Sequence, residues 1–156
     1  LWITAAQDRT LSIDVRIARL CEMEALQLPA CGWADWAQLY LNLERLDPAW
    51  EKELTLLGSE KAAVPPTDEA LEIVLEQLLV YLLYRHIAAA EDADELRPRL
   101  AFCLLSTQLL MRLAALHKAE AAFTIDDFCE LSRMYSSEIE YSQENMDALL
   151  DALWYV

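Results

Sequence analysis

Glycine is almost missing: Gly32 and Gly58 are the only two in 156 residues. Neither G-x-G-x-x-G nor G-x-x-x-x-G-K-[ST] can be written with them, which excludes a Rossmann dinucleotide site and a P-loop within this stretch. Proline is also sparse, at 5 residues. Hairpin-rich chains need Gly, Asn and Asp at most of their turns, so the scarcity predicts long helices joined by short connections.

Basic charge is the second shortage. Lys and Arg number 12 against 27 Asp and Glu, a formal net charge of -15. Such a surface repels a phosphate backbone or an anionic bilayer, so nucleic acid and membrane are not expected as partners; a basic protein or peptide has the right sign. The longest apolar run, "LLVYLLY" from Leu78 to Tyr84, falls well short of a spanning segment of roughly 20 residues. No basic n-region with an apolar h-region opens the chain, which predicts a cytoplasmic protein. The four cysteines (Cys21, Cys31, Cys103, Cys129) show no CxxC spacing and read as small buried hydrophobes with reduced thiols. The two histidines, His86 and His117, form no H-E-x-x-H, so no metal site is expected. His117, beside Lys118, reads as a cation at a helix C-terminus.

What is present is helical periodicity. "LWITAAQDRT" reads as the tail of a helix. "LSIDVRIARLCEMEALQL" follows, with Ser12 as N-cap and Ile13, Ile17, Leu20, Cys21 and Leu28 on one stripe. Pro29 and Gly32 mark a turn, after which Trp33, Trp36, Tyr40, Leu43 and Leu46 align at helical spacing as core. Asp47-Pro48 restarts a short helix to about Gly58. "GSEKAAVPP" is the clearest linker. Thr67-Asp68-Glu69 caps a long helix to about Ala90, and another fills "ADELRPRLAFCLLSTQLLMRLAALHK", with Pro98 confined to its first turn. "TIDD" (Thr124 to Asp127) is a capping box, and Ser142 with Glu144 starts a last helix with Met146, Leu149, Leu150 and Leu153 inward. The pattern predicts a single all-α domain, an irregular bundle of about six or seven helices with a central antiparallel pair.

The stretch "VYLLYRHIAAAEDADE" poses a chemical question. At 100° per residue, the stripe Leu71, Leu75, Leu78, Leu82 runs into Arg85 on one flank and His86 on the other, with Tyr81 beside Arg85. A guanidinium pointed at a core must find a carboxylate or several carbonyls. Asp92 and Asp94 are near in sequence; Glu138 and Glu140, in "SSEIEYS", are favoured because a distant pair would clamp the last helices. Two readings stand: a buried ion pair that fixes register, or a polar pocket of Tyr81, Tyr84, Arg85, His86, Glu138, Glu140 and Tyr141.

At these residues a resemblance enters. "QDRTLSIDVRIARL", "LYLNLERLDPAW", "LVYLLYRHIAAAEDAD", "RLAFCLLSTQLL" and "SRMYSSEIEYSQENMDALLDAL" occur in an order that resembles the C-terminal helical half of the bacterial flagellin lysine N-methylase family. The resemblance implies methyl transfer, with S-adenosylmethionine as donor, to lysines of flagellin in the cytoplasm. Members of that family carry a cysteine-rich metal or iron–sulfur cluster motif upstream of this region. No such motif lies between Leu1 and Val156, so the implied chemistry sits mainly before Leu1 and this stretch supports or completes it. The partners implied are flagellin or another lysine-bearing protein, and the N-terminal part of the same chain. The resemblance matches Tyr84, Arg85, His86, Glu138, Glu140 and Tyr141 to polar positions of the family without giving each a role.

Composition and periodicity alone describe a non-catalytic acidic interaction module equally well, since amphipathic helices with Trp and Leu stripes fit any helical adaptor. A small-molecule sensor with the Tyr81 to His86 patch as its pocket is a third reading.

Overall fold

Apolar side chains recur at helical spacing throughout, and a computed structural model, which describes residues 1–28, 32–59 and 67–156, shows the outcome. The chain is all-α. Among the described residues there are eight α-helices and no strand: α1 (Trp2–Ala6), α2 (Ile13–Met23), α3 (Trp33–Leu41), α4 (Pro48–Gly58), α5 (Glu69–Leu82), α6 (Leu96–Glu120), α7 (Ile125–Tyr135) and α8 (Gln143–Ala152). Two five-residue π-helical segments follow α5 and α7 directly, Leu83–Ile87 and Ser136–Glu140. The linker residues Pro65 and Pro66, and Pro29 and Cys31 of the earlier turn, lie outside the described residues.

Packing divides the chain into two compact units. One comprises Leu1–Pro29, Asp68–Gln108 and Leu150–Val156; the other comprises Ala30–Thr67 and Leu109–Leu149.

In the first unit α1, α2 and α5 pack against one another. Ile13, Ile17 and Leu20 of α2 are buried, as are Leu71, Leu75, Leu79 and Leu82 of α5. Leu79 takes the inward place that the sequence assigned to Leu78, because i to i+4 steps carry the stripe from Leu71 through Leu75. Ser12 precedes α2 but its side chain caps nothing; the free Ile13 N–H donates instead to Glu72 Oε2 at 2.8 Å. Asp68 caps α5, accepting from Leu71 N at 2.9 Å. Pro98 falls in the first turn of α6, where its missing amide costs no helical bond.

In the second unit α3 packs on α4. A Cβ on Gly58 would stand 3.2 Å from the Ala37 Cβ, so glycine permits the close crossing. Tyr40, Trp50 and Tyr135 form a buried aromatic cluster, Trp50 edge-on to both rings at 6.5 and 5.8 Å. Burial pushes the Tyr40 hydroxyl up to about 12. Helix α3 stops at Leu41, so Leu46 leaves the predicted stripe and stands 70% exposed. Asp47 and Pro48 start α4 as expected, Asp47 accepting from Ala49 N at 2.8 Å. The Thr124–Asp127 capping box is closed from both sides, at 2.7 and 3.2 Å.

Helix α6 is long and apolar enough by length and composition to cross a membrane. Its side chains from Leu100 to Leu105 and from Leu109 to Leu116 are mostly buried in the protein, which is how a core helix behaves.

Candidate functional site

Helix α5 carries Leu71, Leu75, Leu79 and Leu82 inward and then widens by one residue per turn. π-Helical turns are uncommon and recur at functional sites because they re-aim side chains within a helix. The two π segments hold five of the seven polar residues singled out above: Tyr84, Arg85 and His86 in the first, Glu138 and Glu140 in the second. Tyr81 sits a turn before the first, and Tyr141 caps the second.

Around the first segment, His86 is 5% exposed and meets Phe102 edge-on at 4.8 Å. Arg85 is half-buried; its Nη1 donates to the Tyr81 hydroxyl at 3.0 Å, and its guanidinium lies 5.9 Å from the Tyr81 ring centre. Tyr81 and Tyr84 are exposed. Leu83, Tyr84, Ile87 and Ala88, with Leu1, Trp2 and Ile3, line an open apolar cleft of about 350 Å³.

The second segment presents a buried carboxylate. Glu138, 2% exposed, accepts from Leu46 N at 2.9 Å and from Asp47 N at 2.7 Å, one amide per oxygen. Asn145 of α8 completes a latch: its Oδ1 accepts from Glu44 N at 3.0 Å, and its Nδ2 donates to the carbonyls of Glu44 and Glu138 at 2.9 and 2.8 Å. Four hydrogen bonds thus fix the chain between α3 and α4, and the fifth ties α8 to the second π segment. Glu140 is half-buried and Tyr141 is 73% exposed.

Tyr81, Tyr84, Arg85 and His86 belong to the first unit, and Glu138, Glu140 and Tyr141 to the second. Asp92 is used locally, accepting from Asp94 N and Glu95 N. His117, in the last turn of α6, lies 2.8 Å from Glu53 through Nε2 and stacks on Phe123 at 5.2 Å.

Two polar features escaped the sequence reading. One is the Asn145 latch; the other is a charged knot in the first unit, where buried Arg16 reaches Glu76 at 2.8 Å and the carbonyls of Leu11 and Ala6 at 2.8 and 3.0 Å. Arg9 adds a bidentate pair to the same carboxylate. The signal was present, since Arg16 lies within the stripe Ile13, Ile17, Leu20 and Glu76 beside Leu75 and Leu79.

A family model described as the FliB lysine N-methylase C-terminal domain matches residues 36–155. The chain belongs to this family. The matched span takes in both π segments, the Glu138–Asn145 latch and all seven polar residues; α1 and α2 precede it. No curated protein and no solved structure matches the chain.

Lysine N-methylation needs a methyl donor, and the resemblance adds a metal or iron–sulfur cluster. The described residues do not fit a cluster: Cys21, Cys103 and Cys129 lie on α2, α6 and α7, and no three His, Cys, Asp or Glu side chains among the described residues group as metal ligands. Nor does the apolar cleft beside the first π segment fit S-adenosylmethionine: its lining holds no charged side chain, the Trp2 indole N–H is already donated to Glu24 at 2.6 Å, and ribose and a zwitterionic methionine end demand several polar partners.

Proposed function

We propose that this chain is the helical C-terminal part of a bacterial, cytoplasmic lysine N-methylase whose substrate is flagellin or a similar lysine-bearing protein. S-adenosylmethionine and an iron–sulfur or metal cluster are held by sequence upstream of Leu1, and the helices here support or complete the site. The family match over residues 36–155 carries this reading. The acid excess supports it as well: Arg9, Arg16, Arg19, Arg45, Arg99 and Arg133 are each drawn into pairs with carboxylates of the same chain, so the surplus of 27 acids over 12 bases is left to attract a cationic partner.

The test is methyl transfer from labelled S-adenosylmethionine to flagellin, with this chain alone and with the same chain joined to its upstream sequence. Methyl-lysine formed only by the longer protein is the expected result. Full turnover by the chain alone would overturn the division of labour; no methyl-lysine from either protein would overturn the methylase reading.

A further inference from the structure

We infer that the exposed stripe of α5, together with the cleft at its end, is the surface on which the sequence preceding Leu1 packs. The inference rests on the methylase reading and adds to it the place where the two parts of the protein meet.

Ile73, Gln77, Tyr81 and Tyr84 follow one another at steps of four, four and three residues, so they share one face of the helix. Ile73, Tyr81 and Tyr84 are 45%, 42% and 66% exposed, and Gln77 is exposed between them. The stripe carries no acid. None occurs between Glu76 and Glu91, and Glu76 itself is turned inward to Arg16. In a chain with 27 acids, an exposed stripe of tyrosine and aliphatic side chains has the composition of an interface core, which is rich in Tyr and poor in Asp and Glu. At Tyr84 the stripe opens into the apolar cleft.

The course of the chain selects the occupant. Arg16 holds both the Ala6 carbonyl and Glu76, while Trp2 and Ile3 share the cleft with Leu83 and Ile87, so α1 runs antiparallel to α5 and brings Leu1 to the cleft. A domain described as C-terminal has chain before it. The residue before Leu1 stands about 3.8 Å from it, Cα to Cα, and so lies at the cleft. The rise from Tyr84 back to Ile73 is roughly 16 Å, a distance that about five extended residues span. A segment tethered at Leu1 therefore meets the stripe at an effective concentration on the order of millimolar. Other occupants are less well matched. A cationic substrate is drawn to the carboxylates and not to a neutral stripe, and two copies each carrying a net charge of -15 repel.

Hydroxyl-radical footprinting, mapped residue by residue by mass spectrometry, reads the exposure of each tyrosine in this chain alone and in the same chain joined to its upstream sequence. Tyr81 and Tyr84 are expected to react at least fivefold more slowly in the longer protein, while Tyr141, 73% exposed in the other unit, keeps its rate. Tyr84→Glu in the longer protein should raise the Tyr81 rate at least threefold, and in this chain alone should leave it unchanged. Unslowed Tyr81 and Tyr84 in the longer protein, or a Tyr81 rate unmoved by Tyr84→Glu there, would overturn the inference. So would protection of these tyrosines in this chain alone, whether it grows with protein concentration, which would assign the stripe to a second copy, or appears on adding flagellin, which would assign it to substrate. The flagellin methylation assay separates the two readings: methylation with unprotected tyrosines removes only the interface, and protected tyrosines without methylation remove only the methylase.

Discussion

Arg16 Nη1 stands 2.8 Å from Glu76 Oε2 with both side chains buried, at 3% and 2% exposure. The guanidinium also holds the carbonyls of Leu11 and Ala6, so it ties α2, the end of α1 and the chain between them to α5 in one group of bonds. Removing one partner strands a buried charge. Arg16→Met should therefore destabilise the protein by about 3 kcal/mol, the lower end of the range for a broken buried pair, because Arg9 remains on Glu76. Arg16→Met with Glu76→Leu should recover most of the loss, as apolar replacement of a whole pair often does. Urea unfolding of the three proteins measures both differences. Equal destabilisation by the single and double variants would mean that the loss comes from the bonds to the Leu11 and Ala6 carbonyls and not from the stranded Glu76 charge.

The same carboxylate sets a pH dependence. Hydrogen bonds from Arg9, reinforced by those from Arg16 against the opposing effect of burial, hold Glu76 below its ordinary value of 4.5. A carboxyl lowered on folding binds its proton more readily in the unfolded chain. Its contribution to stability is then complete above the unfolded value, and it is lost as the pH falls through the folded one. The stability gap between wild type and Glu76→Gln should be widest near neutrality and should close below about pH 4.5. Chemical unfolding of both proteins from pH 7 down to pH 3 measures the gap, and a constant gap would remove Glu76 from the acid response.

Helix α2 ends in a six-to-one bond, Leu26 N to Cys21 O at 2.8 Å, a Schellman turn whose left-handed residue is Ala25 at φ 51. Glycine usually fills this place, because a Cβ there crowds the following carbonyl. Ala25→Gly should raise stability by about 0.5 to 1 kcal/mol, relief of that crowding outweighing the added freedom of the unfolded chain. A shift of the urea midpoint to higher concentration at unchanged slope is the expected sign.

Much of this architecture was legible because its causes are local. Asp47-Pro48, Thr124 to Asp127 and the placement of Pro98 need only the helix-end amides to explain them, and the structure has each where the spacing put it. The π segments were not legible. Adding one residue to a turn leaves composition and hydrophobic period almost untouched, so nothing in "LYRHI" or "SSEIE" distinguishes five residues of π-helix from a helix carried on. Glu138 was singled out as a partner for Arg85 or a pocket residue, but its acceptance of Leu46 and Asp47 amides links residues 92 and 91 positions apart, and Asn145 reaches Glu44 across 101. Contacts of that span are fixed by tertiary packing rather than by periodicity. Leu46 went astray for a related reason. The stripe through Trp36 and Tyr40 points to it, but α3 has already ended at Leu41.

The latch on the chain between α3 and α4 gives the most local prediction. Both Glu138 oxygens accept backbone amides, so Glu138→Gln keeps the shape of the side chain but turns one acceptor into an NH₂ donor that faces an N–H. One of the two amides then loses its partner while remaining partly buried, at a cost of about 1 to 3 kcal/mol. The loss should be concentrated at the latch. Hydrogen exchange at Leu46 or Asp47 should accelerate by about tenfold or more, since each 1.4 kcal/mol is a factor of ten, while amides of the α6 core keep their protection. Asn145→Ala should expose Glu44 N in the same way, because the Asn145 side-chain oxygen accepts from it at 3.0 Å. If Glu138→Gln instead accelerated exchange uniformly through the second unit, the carboxylate would be holding that whole unit together and not the strand before α4 alone.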